Sequence, residues 1–506
     1  MRTKKAFFNM ISNIVFYFCN IILGIISRKV LLSYMGIEYQ GINGLFSNIL
    51  SVLGIAELGI GTAIIFHLYG PLAQKDLPLI CSIMNFYKKC YRYIAAAISI
   101  IGCLFALNIN FFIGEHSISI NLTVVYLLML ADVVASYTLT YKRSILYADQ
   151  NNYIVSLADT GNIVLANVFQ IIIIIITKNY YIYIGAKILF RILENILINF
   201  IVNKKYSFLV NAPNIPLDKS ILKDIKLKVK GLLFHKIGSF VVNGTDNIII
   251  SKFINVASVG LYSNYSYIIT SVTGLFGQVI NATTAGVGNL LVSSEEHKRL
   301  KIFNELQYLN FALANFTTVA IYIMCGSFIS FFFGEQYVLP DYIVQVLCLN
   351  YLLTCARGVY GTFKSAAGIQ FEDRFVPIAE SIVNLIFSLV LVNKIGFVGV
   401  FIGTSISNLC VFCYSFPKFV YKGVLKGKLK NYYLQLIFFL SLVIANCFIS
   451  KFVCGLFVME SNLKQLLFNG VIALIIPNFN FWILLRNRKE MLYLVNRICK
   501  IINRTI

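Results

Sequence analysis

Charged residues are scarce in this sequence. Asp, Glu, Lys and Arg make up 13% of the 506 residues, whereas soluble globular proteins carry roughly 25%. The mean hydropathy is +0.78, and a soluble protein could not cover so much apolar surface with so few charges. Uncharged apolar runs of about 18 or more residues recur along the chain, and such runs predict membrane-spanning helices. The sequence therefore indicates an all-α, polytopic membrane protein.

Motifs of nucleotide-driven and metal-dependent chemistry are also missing. The sequence contains no GxxxxGK[ST] phosphate-binding loop, and the nearest string, which begins at Gly423, has the wrong spacing. The four His residues share no motif, and most of the twelve Cys residues fall in apolar runs, where Cys acts as a small apolar side chain. No HExxH or Ser/His/Asp pattern lies in a predicted loop. We therefore expect no cofactor, no metal and no enzymatic activity.

Fourteen apolar segments are predicted to span the membrane. They lie near residues 6–27, 42–66, 92–113, 120–141, 153–176, 180–202, 231–254, 258–283, 307–333, 340–362, 375–393, 395–416, 432–457 and 465–485. The connecting segments alternate in charge, with 32 Lys and Arg on one side, six on the other and five inside spans. The positive-inside rule then places both termini in the cytoplasm. The net charge of +22 thus reflects topology and contact with anionic membrane lipids, not nucleic acid.

The sequence repeats itself at a nearly constant offset. The string FFIGEH at Phe111 returns as FFFGEQ at Phe331, 220 residues later. Offsets of 219 to 221 also relate Gly41 to Gly260, Arg143-Ser144 to Lys364-Ser365, and Asp159 to Glu380. Recurrence in chain order indicates duplication. Six spans separate the copies, so both enter the membrane in the same direction, as in transporters built from parallel repeats. We expect the Gly of FFxGE to end the third helix of each copy.

The duplication predicts the domain organisation. An N-terminal six-helix bundle covers 1–205 and a C-terminal six-helix bundle covers 231–420. Two further transmembrane helices and a basic cytoplasmic tail occupy 421–506. The segment 206–230 between the bundles contains KSILKDIKLKVKGLL, in which basic and apolar residues mix at helical spacing. That pattern predicts a cytoplasmic amphipathic linker at the inner leaflet.

Ionisable residues inside the predicted spans are the candidate site residues, because each costs several kcal/mol in lipid unless it is paired or hydrated. The acids, which would neutralise cations or carry a coupling proton or Na⁺, are Glu57, Asp132, Asp159, Asp246 and Glu380. The cations, which would bind substrate in a cavity, are Lys187, Arg191, Lys236 and Arg357, together with Arg28 at an outer helix end. A cavity that holds Lys and Arg favours an anionic substrate, phosphate in particular.

The cations also have structural interpretations. Lys187, Arg191 and Glu194 are spaced i, i+4, i+7 and share one helix face, so Arg191 and Glu194 could simply neutralise each other. Arg28 and Arg357 lie near predicted helix ends, where a long side chain can reach the membrane interface. These alternatives stay open at the level of sequence.

The acids divide in a similar way. Asp159 with Asn162, and Glu380 with Asn384, occupy equivalent spans and could be polar contacts between helices. Glu57 lies among three glycines in GIAELGIG, which favours a close helix approach or a local break.

The stretch VNGTDN, Val242 to Asn247, concentrates polar residues around Asp246 in mid-span. A lipid-facing helix would not tolerate such a cluster, so we expect it to face a wet cavity or the other half. Lys236 could simply begin the same span at the inner surface.

Four strings in order resemble one transporter family. They are ELGIGTAI in the second span, GTDNIIISKF in the seventh, VGLYSNYSYII opening the eighth and GFVGVFIGTSISN in the twelfth. Together they resemble the bacterial polysaccharide (O-antigen, capsule) flippases of the MATE-like multidrug/oligosaccharidyl-lipid/polysaccharide exporter superfamily, over roughly residues 1–420.

The resemblance implies two six-helix bundles around a V-shaped cavity and transport by alternating access. The implied substrate is undecaprenyl-pyrophosphate-linked oligosaccharide, moved from the inner to the outer leaflet of the bacterial plasma membrane. A polysaccharide polymerase and glycosyltransferases are the implied partners. Fourteen spans depart from the twelve common in O-antigen flippases, while lipid II flippases have fourteen, so the glycolipid is left open.

Three other functions are weighed against the flippase. A cation-coupled multidrug antiporter would share the fold, but Lys187, Arg191 and Arg357 argue against cationic substrates. A major-facilitator carrier would carry GxxxDRxGRR after the second span, where this chain reads GPLAQKDLPLI. A membrane-embedded glycan polymerase or ligase is expected to carry a large outer loop, and no predicted outer loop exceeds about 15 residues.

Overall fold

The protein is all-helical over the part of the chain that its computed structural model describes. That part comprises residues 2–57, 60–210, 216–226, 229, 244–369, 372–488 and 490–492. These residues form no strand. An α-helix pairs its backbone groups within one segment, which is what a chain in lipid requires. The chain is a multi-pass membrane protein, as its composition predicts.

The first compact unit is Met1–Gly260, and outside the linker it contains nine helices among the described residues. They are α1 (Arg2–Met35), α2 (Ile37–Leu53), α3 (Ile60–Gln74), α4 (Leu77–Leu107), α5 (Leu122–Tyr137), α6 (Arg143–Ala148), α7 (Asn152–Thr177), α8 (Tyr180–Lys205) and α9 (Asp246–Phe253). A 3₁₀ turn, Gly54–Glu57, follows α2. Helix α1 packs along α7, and α8 packs against both α5 and α7. Within the linker, residues 219–226 are helical.

The second compact unit is Leu261–Ile506. Its helices are α10 (Val256–Asn281, from Leu261 onward), α11 (Thr284–Ser293), α12 (Glu296–Phe332), α13 (Asp341–Ala356), α14 (Gly358–Ala366), α15 (Val376–Ile395), α16 (Phe397–Ser415), the π-helical segment Phe416–Val424, α17 (Leu429–Leu456) and α18 (Asn462–Leu485). Aromatic side chains fill much of its core. The rings of Tyr360 and Phe416 stack with centroids 4.9 Å apart, and those of Phe311 and Phe439 stack at 4.4 Å.

Eleven of the described helical segments are long and apolar enough to span a membrane. The other three of the fourteen predicted spans have separate explanations. The predicted span 42–66 is divided by the 3₁₀ turn Gly54–Glu57, and α8 has the length but carries a group of charged residues at its centre. Most of 231–254 lies outside the described residues.

The two copies of FFxGE play different structural roles. Gly334 has a φ of +122°, and its N–H donates to the Ile329 carbonyl at the end of α12 (3.0 Å). This is the helix stop that the sequence predicts. The prediction is wrong for Gly114, because α4 already ends at Leu107. A Cβ on Gly114 would lie 1.8 Å from the Ser251 carbonyl oxygen, so Gly114 instead permits a close approach.

Repeat-equivalent residues also contact one another within the first unit. A Cβ on Gly41 would lie 2.1 Å from the Val256 carbonyl oxygen, and one on Gly260 would lie 2.3 Å from that of Ile37. The offset of 219 that relates Gly41 to Gly260 also relates Ile37 to Val256. The contact is therefore reciprocal, and it depends on the small size of glycine at both positions.

Candidate functional sites

A network of charged side chains joins α5, α6, α7 and α8 in the first unit. It begins at Asp132 on α5, whose carboxylate receives Lys187 Nζ at 3.1 Å and Arg191 Nε at 3.5 Å. Both cations come from α8, where the spacing i, i+4 places them on one face. Asp132 is buried, whereas the side chains of Lys187 and Arg191 are 41% and 33% exposed.

The network continues through Glu194, one turn further along α8. Arg191 Nη1 lies 3.4 Å from Glu194 Oε2, so the pair suggested by the spacing is present, but Arg191 is shared with Asp132. Asn162 Nδ2 donates to Glu194 Oε2 at 2.6 Å, and Arg143 Nη2 pairs with Glu194 Oε1. Glu194 therefore contacts two guanidinium groups and an amide.

Arg143, at the start of α6, connects the network to α7. Its Nη1 lies 2.9 Å from Asp159 Oδ1, while its Nη2 contacts Glu194. The network therefore contains three cations and three carboxylates, and its formal charge is zero. Such balance is expected, since an unpaired charge at this depth costs far more than a paired one.

Glu57 lies at the helix break that its flanking glycines favour. The 3₁₀ turn Gly54–Glu57 separates α2 from α3. Tyr91 donates its hydroxyl to Glu57 Oε1 at 2.6 Å, and Tyr87 donates to Tyr91 at 3.0 Å. A Cβ on Gly61 would meet the Tyr87 hydroxyl at 2.9 Å, so the glycine leaves room for this chain of hydrogen bonds.

In the second unit Arg357 occupies the break between α13 and α14. Its Nη2 lies 2.6 Å from Glu380 Oε1 on α15 and also donates to the Asn408 carbonyl at 3.2 Å. The guanidinium carbon lies 6.0 Å from the centre of the Phe412 ring. The Arg357 side chain is 24% exposed and that of Glu380 is 10% exposed, so the cation faces solvent more than the acid does.

A cavity of about 530 Å³ opens beside Arg357, between α10, α11, α13 and α14. Among the described residues that line it, Arg357 is the charged one. The other polar lining groups are the side chains of Thr273, Asn281, Thr284, Thr354, Thr362 and Ser365. Gly277 and Gly361 also line it, and a Cβ at either would enter open space. A guanidinium surrounded by hydroxyl groups is suited to a phosphate or a sugar phosphate.

The two repeats hold their acids differently. Arg143 and Lys364 are equivalent, yet Arg143 pairs with Asp159 while Lys364 pairs with Asp373. Ser415 donates its hydroxyl to the buried Asp373 at 3.0 Å. Glu380, which is equivalent to Asp159 in the repeat, forms its ion pair with Arg357. The duplicated framework therefore carries two different charge arrangements.

No protein-family model and no curated protein matches this sequence. Solved structures do match it. The lipid II flippase MurJ in an inward closed conformation aligns with a TM-score of 0.69 and 15% identity, over 94% of this chain and 99% of MurJ. The chain has the fold of these transporters. An inward-facing MATE multidrug resistance transporter of the MOP superfamily aligns with a TM-score of 0.59 and 15% identity, over 79% and 93%.

A further match is a MOP superfamily transporter from Pyrococcus furiosus, with a TM-score of 0.55 and 14% identity, over 84% of this chain and 97% of that one. The expected all-α membrane architecture with a MATE-like fold is thereby confirmed, and the division into two six-helix bundles plus two C-terminal helices stays a prediction.

The remaining predicted site residues lie elsewhere. Arg28 is half-buried on α1, two turns before that helix ends. Asp246 is buried at the start of α9, and the neighbouring Asn247 donates to the Gly44 carbonyl at 3.2 Å. Lys236 lies outside the described residues, as do Val242 and Asn243 of the VNGTDN stretch. Within the described ranges no group of three or more His, Cys, Asp or Glu could hold a metal ion.

Arg143 is the participant that the sequence prediction missed. Its place next to Lys142 made it one more cation of a predicted inner segment. A signal was nevertheless present, because the repeat aligns Arg143 with Lys364 and Asp159 with Glu380. The pattern indicates the ion pair of the first copy, Arg143 with Asp159. The equivalent Lys364 and Glu380 have other partners.

Proposed function

We propose that the protein is a flippase of the MOP superfamily, not an enzyme. Its substrate is undecaprenyl-pyrophosphate-linked oligosaccharide, which it moves from the inner to the outer leaflet of a bacterial plasma membrane by alternating access. The product serves surface polysaccharide assembly, together with a polymerase and glycosyltransferases. The observation that carries this proposal is the cavity beside Arg357.

The chemistry of that cavity supports an anionic, hydroxyl-rich ligand. The planar guanidinium of Arg357 presents several N–H donors, and its Nη2 contacts Glu380 and Asn408. A bidentate fork is the geometry that phosphate prefers. The surrounding Thr and Ser hydroxyls can both donate to phosphate oxygens and accept from sugar hydroxyls. A cationic drug would meet a like charge at the same place.

Size and fold support the same substrate. A volume of about 530 Å³ is typical of a pocket for a small ligand, so it suits part of a headgroup while the polyprenyl chain stays in lipid. The likeness to a lipid II flippase extends over 94% of the chain, which favours a lipid-linked substrate. We assign the partly exposed Lys187 and Arg191 to substrate contact in the first unit, with Arg28 and Lys236 as further candidates.

The acids are assigned to charge balance and ion coupling. Glu57, Asp132, Asp159, Asp246 and Glu380 are the candidates. Each carboxylate that pairs with a cation can exchange that cation for a proton or Na⁺ when a phosphate takes its place. Glu57 differs from the rest, since its described hydrogen bond comes from a tyrosine hydroxyl.

Transport in proteoliposomes tests the proposal. The full-length protein is reconstituted with a fluorescent polyprenyl-pyrophosphate oligosaccharide, and the fraction that crosses to the far leaflet is followed. We expect transport by the wild type, its loss in Arg357→Ala and partial activity in Arg357→Lys. The matched control is Lys394→Ala, which removes an exposed cation at the end of α15 and should transport normally.

Two outcomes would contradict the proposal in different ways. Transport that survives Arg357→Ala would remove Arg357 from the substrate path. A wild type that leaves the glycolipid in place but moves a cationic dye under a proton or Na⁺ gradient would identify a multidrug antiporter.

A further inference from the structure

A pocket with an ion pair at its edge lies at one end of α12, α13, α17 and α18, away from the residues discussed so far. Its volume is about 400 Å³. Lys451 Nζ lies 2.8 Å from Asp341 Oδ1 at its edge, and the two side chains are 46% and 48% exposed. An exposed ion pair of this kind contributes little to folding. A ligand that offers each side chain an opposite charge can therefore break the Lys451–Asp341 ion pair with little loss of folding free energy.

Tyr322 connects this pocket to a second, apolar cavity. The tyrosine donates its hydroxyl to Asp341 Oδ2 at 3.1 Å, and Lys451 Nζ lies 5.4 Å from the centre of its ring. Tyr322 also lines a cavity of about 170 Å³ between α12, α13 and α17, which is walled by side chains such as Leu352 and Phe448. Phe448 is 59% exposed on this surface. Tyr322 thus forms a wall shared by the charged pocket and the apolar cavity.

Thr318 provides the decisive observation in the apolar cavity. It lies one helical turn, about 6 Å, from Tyr322 and lines the apolar cavity. Its side chain is 2% exposed, and among the described residues its hydroxyl has no hydrogen-bond partner. A buried hydroxyl without a partner is destabilising, so a ligand acceptor that reaches Thr318 from the cavity would stabilise the protein.

We propose that these two cavities form a binding site for a zwitterionic glycerophospholipid of the phosphatidylethanolamine class. The lipid phosphate would contact Lys451, and its primary ammonium would contact Asp341. The ester carbonyl, which follows the phosphate along the lipid, would accept a hydrogen bond from Thr318. The start of an acyl chain would occupy the apolar cavity. The site lies on other side chains than the Arg357 cavity and does not depend on the proposed transport function.

Other membrane lipids fit this arrangement less well. An anionic phosphatidylglycerol would satisfy Lys451 but leave Asp341 without a cation, next to an added negative charge. The quaternary ammonium of phosphatidylcholine cannot donate a hydrogen bond to the carboxylate. A lipid with ether linkages would offer Thr318 an ether oxygen, a weaker acceptor than an ester carbonyl. The affinities of the protein for these different lipids can therefore be compared to test the site.

Lipid affinity of the purified full-length protein in detergent, measured by native mass spectrometry, tests the site. The probes are diester phosphatidylethanolamine, its diether analogue, phosphatidylglycerol and water-soluble O-phosphoethanolamine. The wild type should bind the diester about 2- to 10-fold more tightly than the diether, the worth of one hydrogen bond. Thr318→Val should remove that difference without lowering the amount of folded protein, because it deletes a hydroxyl that lacks a partner.

The charged residues give an independent test. Lys451→Gln should weaken binding of both phospholipids, while Asp341→Asn should abolish the preference for ethanolamine over glycerol. The control Lys464→Gln alters an exposed cation on α18 outside the pocket and should change neither affinity.

Three results would overturn the proposal. Equal affinity of the wild type for diester and diether would exclude the role of Thr318 without recourse to any variant. Phosphatidylglycerol binding as tightly as phosphatidylethanolamine would exclude a zwitterion site. Equally tight binding of O-phosphoethanolamine would show that the lipid chain contributes nothing and that the ligand is a soluble amino-phosphate.

Discussion

Replacing Gly41 with alanine tests the close approach between α2 and the start of α10. The new Cβ would lie 2.1 Å from the Val256 carbonyl oxygen, whereas ordinary van der Waals contacts begin near 3.4 Å. One of the two helices would have to move by about 1.3 Å, because a backbone carbonyl in a helix cannot rotate away as a side chain can.

A matched control isolates the cost of that movement. Gly185, within α8, has no other atom within 4 Å of the place where its Cβ would be. Alanine at either position gains the same helix propensity, about 1 kcal/mol over glycine, so this contribution cancels in the comparison. What remains is the overpacking of Gly41→Ala, which should lower its free energy of unfolding by about 1–3 kcal/mol relative to Gly185→Ala.

The assay is reversible unfolding in mixed micelles at increasing SDS, followed by circular dichroism. Gly260→Ala, whose Cβ would lie 2.3 Å from the Ile37 carbonyl oxygen, should behave like Gly41→Ala, because the contact is reciprocal. Equal stability of the Gly41 and Gly185 variants would refute the reasoning and mean that these helices are not held at this distance.

Three further predictions concern charged residues. Arg143→Ala leaves two carboxylates without their shared guanidinium and should cost about 3–5 kcal/mol of stability in the same unfolding assay, whereas Lys394→Ala should cost little. Glu57→Gln keeps an oxygen that can accept from Tyr91, so stability should hold within about 1 kcal/mol. If Glu57 carries the coupling ion, transport by this variant should no longer respond to a proton or Na⁺ gradient. Glu380→Gln removes the charge that competes for Arg357 and should raise affinity for a pyrophosphate oligosaccharide, measured by calorimetry; unchanged affinity would contradict that competition.

The length of the apolar runs predicted most of the membrane-spanning helices. It was a poor guide where polar residues interrupt a run. Eleven described helical segments meet the criterion for a span. Helix α8 does not, because the side chains of its network raise its charge, although it has the length of a span. The break after α2 was visible only indirectly, through the glycines around Glu57. Hydropathy averages a whole window, so it cannot locate a break that one turn introduces.

The repeat predicted which residues are equivalent but not what they contact. Gly41 and Gly260 proved to be equivalent in packing as well, because both meet the carbonyl of the residue four before the other. Gly114 and Gly334 diverged, since only Gly334 follows directly on the end of its helix. An offset in sequence fixes neither helix length nor the neighbour that a loop reaches.

The candidate sites were predicted one helix at a time, and this limit explains what was missed. The spacing on α8 placed Lys187, Arg191 and Glu194 on one face, as the structure has them. The partners Asp132 and Arg143 come from other helices, at sequence separations of 59 from Arg191 and 51 from Glu194. Periodicity within one helix carries no information about such partners. A long Arg side chain at a helix end can also reach into a span that its position in sequence does not indicate.

Charge balance changes what a cationic cavity means in this protein. The sequence predicted cations that would bind an anionic substrate. In the structure Lys187, Arg191 and Arg357 each contact a carboxylate. A phosphate that binds these cations then competes with those acids, and each carboxylate that it displaces would take up a proton, a Na⁺ ion or another cation. Substrate and coupling ion would therefore bind together at one ion pair, and no separate ion site is required. On this argument the acids and cations of each pair act as one functional unit. Removing a cation should abolish substrate binding, whereas neutralising its acid should strengthen binding and weaken release.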